Sequence, residues 1–106
     1  MKNKNIFNDM PAEIPEELIQ EIFASGNIRI ERIISKGHSS PEDFWYDQEK
    51  NEFVLVVQGS AGLEMENKAD IVALNAGDFY FIPARARHRV AWTDSRGDTI
   101  WLAVYY

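Results

Sequence analysis

GDFYFIPARARHRV, residues 77–90, spells a turn, a strand, a bend and a second strand in succession. Gly77 and Asp78 suit a tight turn, and Phe79 to Ile82 is an apolar run of strand length. Pro83 presets a bend and cannot donate to a sheet ladder. Beyond it the period is two again, with His88 and Val90 on one face. An imidazole therefore leaves the bend at the start of a strand.

The same period extends in both directions. Phe53, Leu55 and Val57 interleave with Val54 and Val56, the pattern of a strand apolar on both faces. Further short strands are expected at Gly62 to Glu66, Ile71 to Leu74, His88 to Thr93 and Thr99 to Tyr105, separated by clusters such as Gln58-Gly59-Ser60 and Asp94-Ser95-Arg96-Gly97-Asp98. Many short strands with closely spaced turns call for a sandwich or barrel, because an open sheet of this size leaves two unpaired edges. Toward the N-terminus the period is two from Asn27, where Ile28, Ile30 and Ile34 alternate with polar residues. Before that it lengthens. Pro15 suits a first helical position, Glu16 and Glu17 favour a helix N-terminus, and Leu18, Ile19, Ile22 and Phe23 make an apolar stripe that Gly26 ends. The expected chain is thus all-β with one short N-terminal helix: a polar arm and helix over 1–26, a barrel over 27–106.

Composition restricts the function. The chain has 106 residues, enough for one core, with 45% hydrophobic and 12% aromatic residues to fill it. A formal charge of −6 argues against nucleic acid and anionic membrane surfaces as partners. With no cysteine, disulfides and thiolate ligands are excluded, so any metal is held by oxygen and imidazole. No signal-like or membrane-spanning run follows MKNKNIFNDM, and a cytoplasmic location is the expectation.

Glu52 followed after six residues by Gly59, and Gly77 followed by Pro83, Arg85 and His88, resemble the two motifs of the cupin superfamily, small double-stranded β-helix barrels of the jelly-roll kind. The second motif matches in spacing, with Arg85 at a position where the family has glycine and Trp92 where it has asparagine. The first matches in its second half only. Its H-x-H pair falls on Trp45 and Asp47, or on Tyr46 and Gln48, and Gly37 lies further upstream than the pattern wants, which implies a longer loop over His38 to Phe44.

The resemblance implies a divalent ion inside the barrel. Carried over residue by residue, its ligands are Glu52 and His88, with Asp47 completing the set or Gln48 standing in for it. One imidazole and two carboxylates form an oxygen-rich set that leans toward manganese or magnesium, while iron, nickel and zinc remain open. No organic cofactor is implied. Strand alternation sends Glu52 inward with Val54 and Val56, and His88 inward with Val90 and Trp92. His38, Tyr46, Gln48 and Trp92 are the candidate substrate-binding residues, His38 on condition that the long loop folds over the mouth. Arg87 and Arg89 should face outward as a solvated stripe.

Two classes of function follow. One is a metal-dependent enzyme acting on, or sensing, a small organic molecule. The other is a metal-free module that binds a small ligand, or an isomerase or epimerase with His88 as general base. In either case a homodimer is expected, formed by the aromatic end Trp101 to Tyr106 and the N-terminal arm.

Overall fold

Residues 4–106 are described by a computed structural model, and the alternating runs in them are strands. They are β1 (Leu18–Ser25), β2 (Ile28–Ser35), β3 (Glu52–Gln58), β4 (Ser60–Met65), β5 (Val72–Asn75), β6 (Phe79–Ile82), β7 (His88–Thr93) and β8 (Thr99–Tyr105). All pair antiparallel, in a five-stranded sheet of order β1-β2-β8-β3-β6 and a three-stranded sheet of order β5-β4-β7. Val54, Val56, Trp101 and Ala103 from the first sheet meet Ala61, Leu63, Met65 and Leu74 from the second in one core. This is the expected double-stranded β-helix of the jelly-roll kind. Among the described residues no helix is long and apolar enough to cross a membrane.

The expected N-terminal helix is not formed. Leu18 to Ser25 is strand β1, joined to β2 by a two-residue hairpin in which Ser25 faces Ile28. Gly26 takes φ 56° there, the left-handed value that the first position of a type II′ turn requires. The apolar spacing misleads because β1 carries a bulge: Glu21 pairs with Glu31 and Phe23 with Ile30, leaving Ile22 as the extra residue. One inserted residue makes a period of two look like a period of three or four. Backbone pairing along β2 then outweighs helical propensity, since a strand satisfies the donors and acceptors of its neighbour as well as its own. The polar arm also finds a partner, as Arg32 donates to the carbonyls of Ile6 and Asn8. The start of that arm, residues 1–3, lies outside the described residues.

Strand β3 is apolar on both faces, but its faces differ. Glu52, Val54 and Val56 are buried inward, whereas Phe53, Leu55 and Val57 lie half-buried on the outside.

Candidate functional site

Glu52 opens β3 opposite Ile82 of β6 and Tyr105 of β8, so a carboxylate stands at the end of a central strand. His88 opens β7 opposite Met65 of β4. The two sheets bring them face to face: His88 Nε2 lies 3.6 Å from Glu52 Oε1, with the side chains only 5% and 8% exposed. The loop after β2 closes over them. Tyr46 forms a lone antiparallel bridge to His88, its N–H donating to the His88 carbonyl at 2.7 Å, and its ring stacks on the imidazole with centroids 5.4 Å apart. Gln48 Nε2 donates to Glu52 Oε1 at 3.2 Å. These groups line a cavity of about 70 Å³, together with Glu17, Trp101, Tyr105 and aliphatic side chains.

The protonation pattern follows from the partners. His88 Nδ1 is 2.9 Å from the Ala86 carbonyl, which only accepts, so Nδ1 carries the hydrogen and Nε2 faces the carboxylate. Burial pushes the His88 pKa down, but the hydrogen bond to Glu52, the Ala86 carbonyl and the Glu52 charge outweigh it and raise the pKa above the ordinary 6.5. Burial raises the Tyr46 pKa, with smaller contributions from Glu17 and Glu52, and raises that of Tyr105, aided by Glu52 and Glu31. Both phenols therefore stay protonated. The Trp101 indole Nε1 is buried without a hydrogen-bond partner.

The other residues singled out in the sequence lie elsewhere. Asp47 points away from the pair, with Oδ1 3.2 Å from Arg85 Nε and its side chain 43% exposed. Arg85 itself has φ 66°, a backbone conformation that suits the glycine the motif has at this position. His38 accepts from the Lys36 N–H through Nδ1 at 2.8 Å and reaches the Pro15 carbonyl through Nε2 at 3.2 Å, so both ring nitrogens are occupied. It borders a separate groove of about 260 Å³ that shares Glu17 and Tyr46 with the cavity. Trp92 does not join His88 and Val90. Gly62 pairs with Trp92 and Leu63 with Val90, so Ala91 is a bulge residue that turns the indole to the outside, over Gly62. Arg87 pairs with Glu66 at the surface as expected. Arg89 is not solvated: its side chain is 13% exposed, and it ties Glu64 to the Ser40 carbonyl.

Sequence reasoning missed Glu17 and Tyr105. Tyr105 shares a strand face with Trp101 and Ala103, a signal present in the alternation. Glu17 carried no such signal, because the segment around it read as helix.

The residues do not fit a resident divalent ion. Among the described residues no three His, Cys, Asp or Glu side chains converge: the cavity wall carries His88, Glu52 and the Gln48 amide together, while Glu17 accepts from the Ser35 hydroxyl instead of joining them. Protein metal sites usually supply at least three strong ligands.

The cupin-domain family model matches residues 31–105. A protein of Ralstonia eutropha JMP134, provisionally named a mannose-6-phosphate isomerase, is 46% identical, with 99% of this chain and 97% of that one covered and a TM-score of 0.94. A cupin superfamily protein of Desulfitobacterium hafniense DCB-2 superposes with a TM-score of 0.73 at 18% identity, covering 91% of this chain and 82% of its own. A protein of Thermus thermophilus does so at 0.79 and 17%, covering 99% and 96%. Both of these show the fold alone. No curated protein matches the chain. With two apposed antiparallel sheets, an inward acid and imidazole at the two motif positions, and a family match over most of its length, the chain belongs to the cupin superfamily.

Proposed function

We propose that this protein binds a small polar organic molecule in its barrel and holds it on Glu52 and His88 without a resident metal. The observation that carries this reading is the orientation of the pair. The Ala86 carbonyl fixes the Nδ1 hydrogen, so a nitrogen lone pair and a carboxylate oxygen face each other at 3.6 Å. Two acceptors so placed attract a proton or a ligand donor, and the walls keep competing water low. A second reading, isomerase or epimerase chemistry, is favoured by the His88 imidazole, whose Nδ1 is fixed on the Ala86 carbonyl and whose Nε2 faces Glu52 in the cavity wall. His88 Nε2 is then the base that takes a proton from carbon next to a carbonyl and returns it to the same or the neighbouring carbon.

Elemental analysis of protein purified without a histidine tag tests the metal-free reading. The expected result is substoichiometric metal that is unchanged in His88→Ala. A stoichiometric ion lost in that variant overturns the reading.

We also infer a homodimer. Within the aromatic end Trp101 and Tyr105 are buried inside the barrel, which leaves Val104 and Tyr106 of that end for an outer contact. The outer face of the five-stranded sheet offers a better surface. Phe23, Ile30, Val104, Phe53 and Phe81 stand side by side in one apolar row across all five strands. Phe53, Phe79 and Phe81 also form an aromatic cluster, with Phe79 58% and Phe81 57% exposed. Monomers rarely leave more than about 300–600 Å² of contiguous apolar surface open, and a second copy presents the same row to this one. Light scattering should give twice the 12.2 kDa chain mass for the wild type and 12.2 kDa for Phe81→Glu. A monomeric wild type at micromolar concentration counts against this surface.

A further inference from the structure

We propose that the N-terminal strap, residues 6–17, is a gate on the barrel cavity, with Arg32 as its latch and Glu17 as the bar between the cavity and the outer groove. This goes beyond the binding reading and holds whatever the cavity takes. Glu17 and Tyr46 line both spaces, so they form the partition between them. The cavity alone, at about 70 Å³, is small beside the roughly 300–1,000 Å³ of sites that take organic molecules, and the groove of about 260 Å³ lies behind the partition. The two halves of that partition are held very differently. Tyr46 sits on a loop stitched down by backbone bonds: its N–H and carbonyl both pair with His88, the Ser40 N–H donates to the Val90 carbonyl at 2.8 Å, and the Arg85 N–H donates to the Gln48 carbonyl at 2.7 Å. Glu17 belongs to the strap, and among the described residues no backbone bond joins residues 4–16 to the barrel.

Three side chains hold the strap instead. The Ser35 hydroxyl donates to Glu17 Oε2 at 3.0 Å, His38 Nε2 donates to the Pro15 carbonyl at 3.2 Å, and Arg32 donates to the Ile6 and Asn8 carbonyls at 3.0 and 2.6 Å. No residue from 4 to 17 is fully buried. A segment tied so sparsely opens at far lower cost than core strands do. Arg32 makes the tie reversible. It is 8% exposed, yet among the described residues no acid pairs with it, and its oxygen partners are carbonyls and the Gln20 amide. A buried guanidinium needs those acceptors while the strap is down. Asp9, at φ 56°, turns the chain so that its own carbonyl also approaches Arg32. Once the strap lifts, water reaches the guanidinium, so opening exchanges hydrogen bonds and does not forfeit them.

His88, 4% exposed in the cavity wall, reports on the gate. Diethyl pyrocarbonate acylates neutral imidazole, and mass spectrometry of chymotryptic fragments separates His88 from His38, the two histidines of the chain. At pH 8 the wild-type His88 rate should be slow, and flat in urea below the unfolding transition, as a local opening is. Ser35→Ala should speed it about fivefold and Arg32→Gln on the order of tenfold or more, because the reactive fraction is the open fraction. Neither change touches Glu52 or Ala86, whose contacts raise the His88 proton affinity. If Arg32→Gln fails to fold, the wild-type urea series and Ser35→Ala decide. Equal rates in wild type and Ser35→Ala show that the reagent reaches His88 past a closed strap and overturn the gate. A wild-type rate that climbs with urea as steeply as global unfolding overturns it too, since the barrel and not the strap then opens.

Discussion

Gly59→Ala is expected to destabilise the fold by about 3 kcal/mol, a large share of the roughly 5–15 kcal/mol that holds a domain of this size together. Gly59 connects β3 to β4 with φ 85°, where a side chain is strained by about 1–2 kcal/mol. A Cβ at this position would also lie 2.8 Å from the Thr99 Cα and 3.0 Å from the Asp98 carbonyl oxygen. Both are backbone atoms, and Thr99 is fully buried at the start of β8, so neither can swing aside as a flexible side chain would. The midpoint of thermal unfolding should fall by on the order of 12–20 °C. Gly97→Ala is the control. Nothing lies within 4 Å of a Cβ there and φ is not positive, so its effect should stay within about 0.5 kcal/mol. Urea denaturation of the two variants side by side decides the matter, and a Gly59→Ala loss below about 1 kcal/mol would show that the turn yields.

Removing the imidazole should cost a similar amount and, unlike the glycine change, should depend on pH. His88→Ala leaves Glu52, 6% exposed, with only the Gln48 amide as a polar partner, and breaking a buried pair this way costs on the order of 3 kcal/mol. The sign of the pH dependence follows from the raised His88 pKa. The folded protein holds the imidazole proton more tightly than the unfolded chain, whose value is about 6.5. The pair's contribution is therefore complete below about pH 6.5 and is lost as pH rises through the folded value. The gap in stability between wild type and His88→Ala should be wider at pH 6 than at pH 8. Glu52 is the one acid that raises the His88 pKa, while Tyr46 on the loop and Tyr105 on β8 stay protonated nearby. Glu52→Gln should accordingly flatten the slope. A wild-type gap that is equal at both pH values would mean that the pair never ionises in this range.

Strand identity and position were legible wherever one face is buried, because alternation repeats over a few residues and needs no distant information. β3 and β6 to β8 lie where the alternation places them. Bulges were not legible. Ile22 and Ala91 each add one residue to a strand whose partner has none, and the partner is remote in sequence. The first made a strand read as a helix, and the second turned Trp92 from the inner face to the outer. The site divides in the same way. Glu52 and His88 were found because a spacing motif marks them, while Glu17 and Tyr105 join the cavity through strand pairing that no local pattern announces.

The order of residues alone determined, through period and turn chemistry, that the chain is a sandwich or barrel of short strands, and the resemblance of its motif spacing to the cupin pattern marked Glu52 and His88 as the inward acid and imidazole. Tertiary structure alone decided what those two groups can do. Asp47 could have completed a set of ligands, but the loop that carries it also brings Tyr46 onto His88, and that closure leaves the Asp47 carboxylate outside against Arg85. Glu52, His88 and the Gln48 amide then stand together, with Glu17 apart on the Ser35 hydroxyl, in place of three converging ligands.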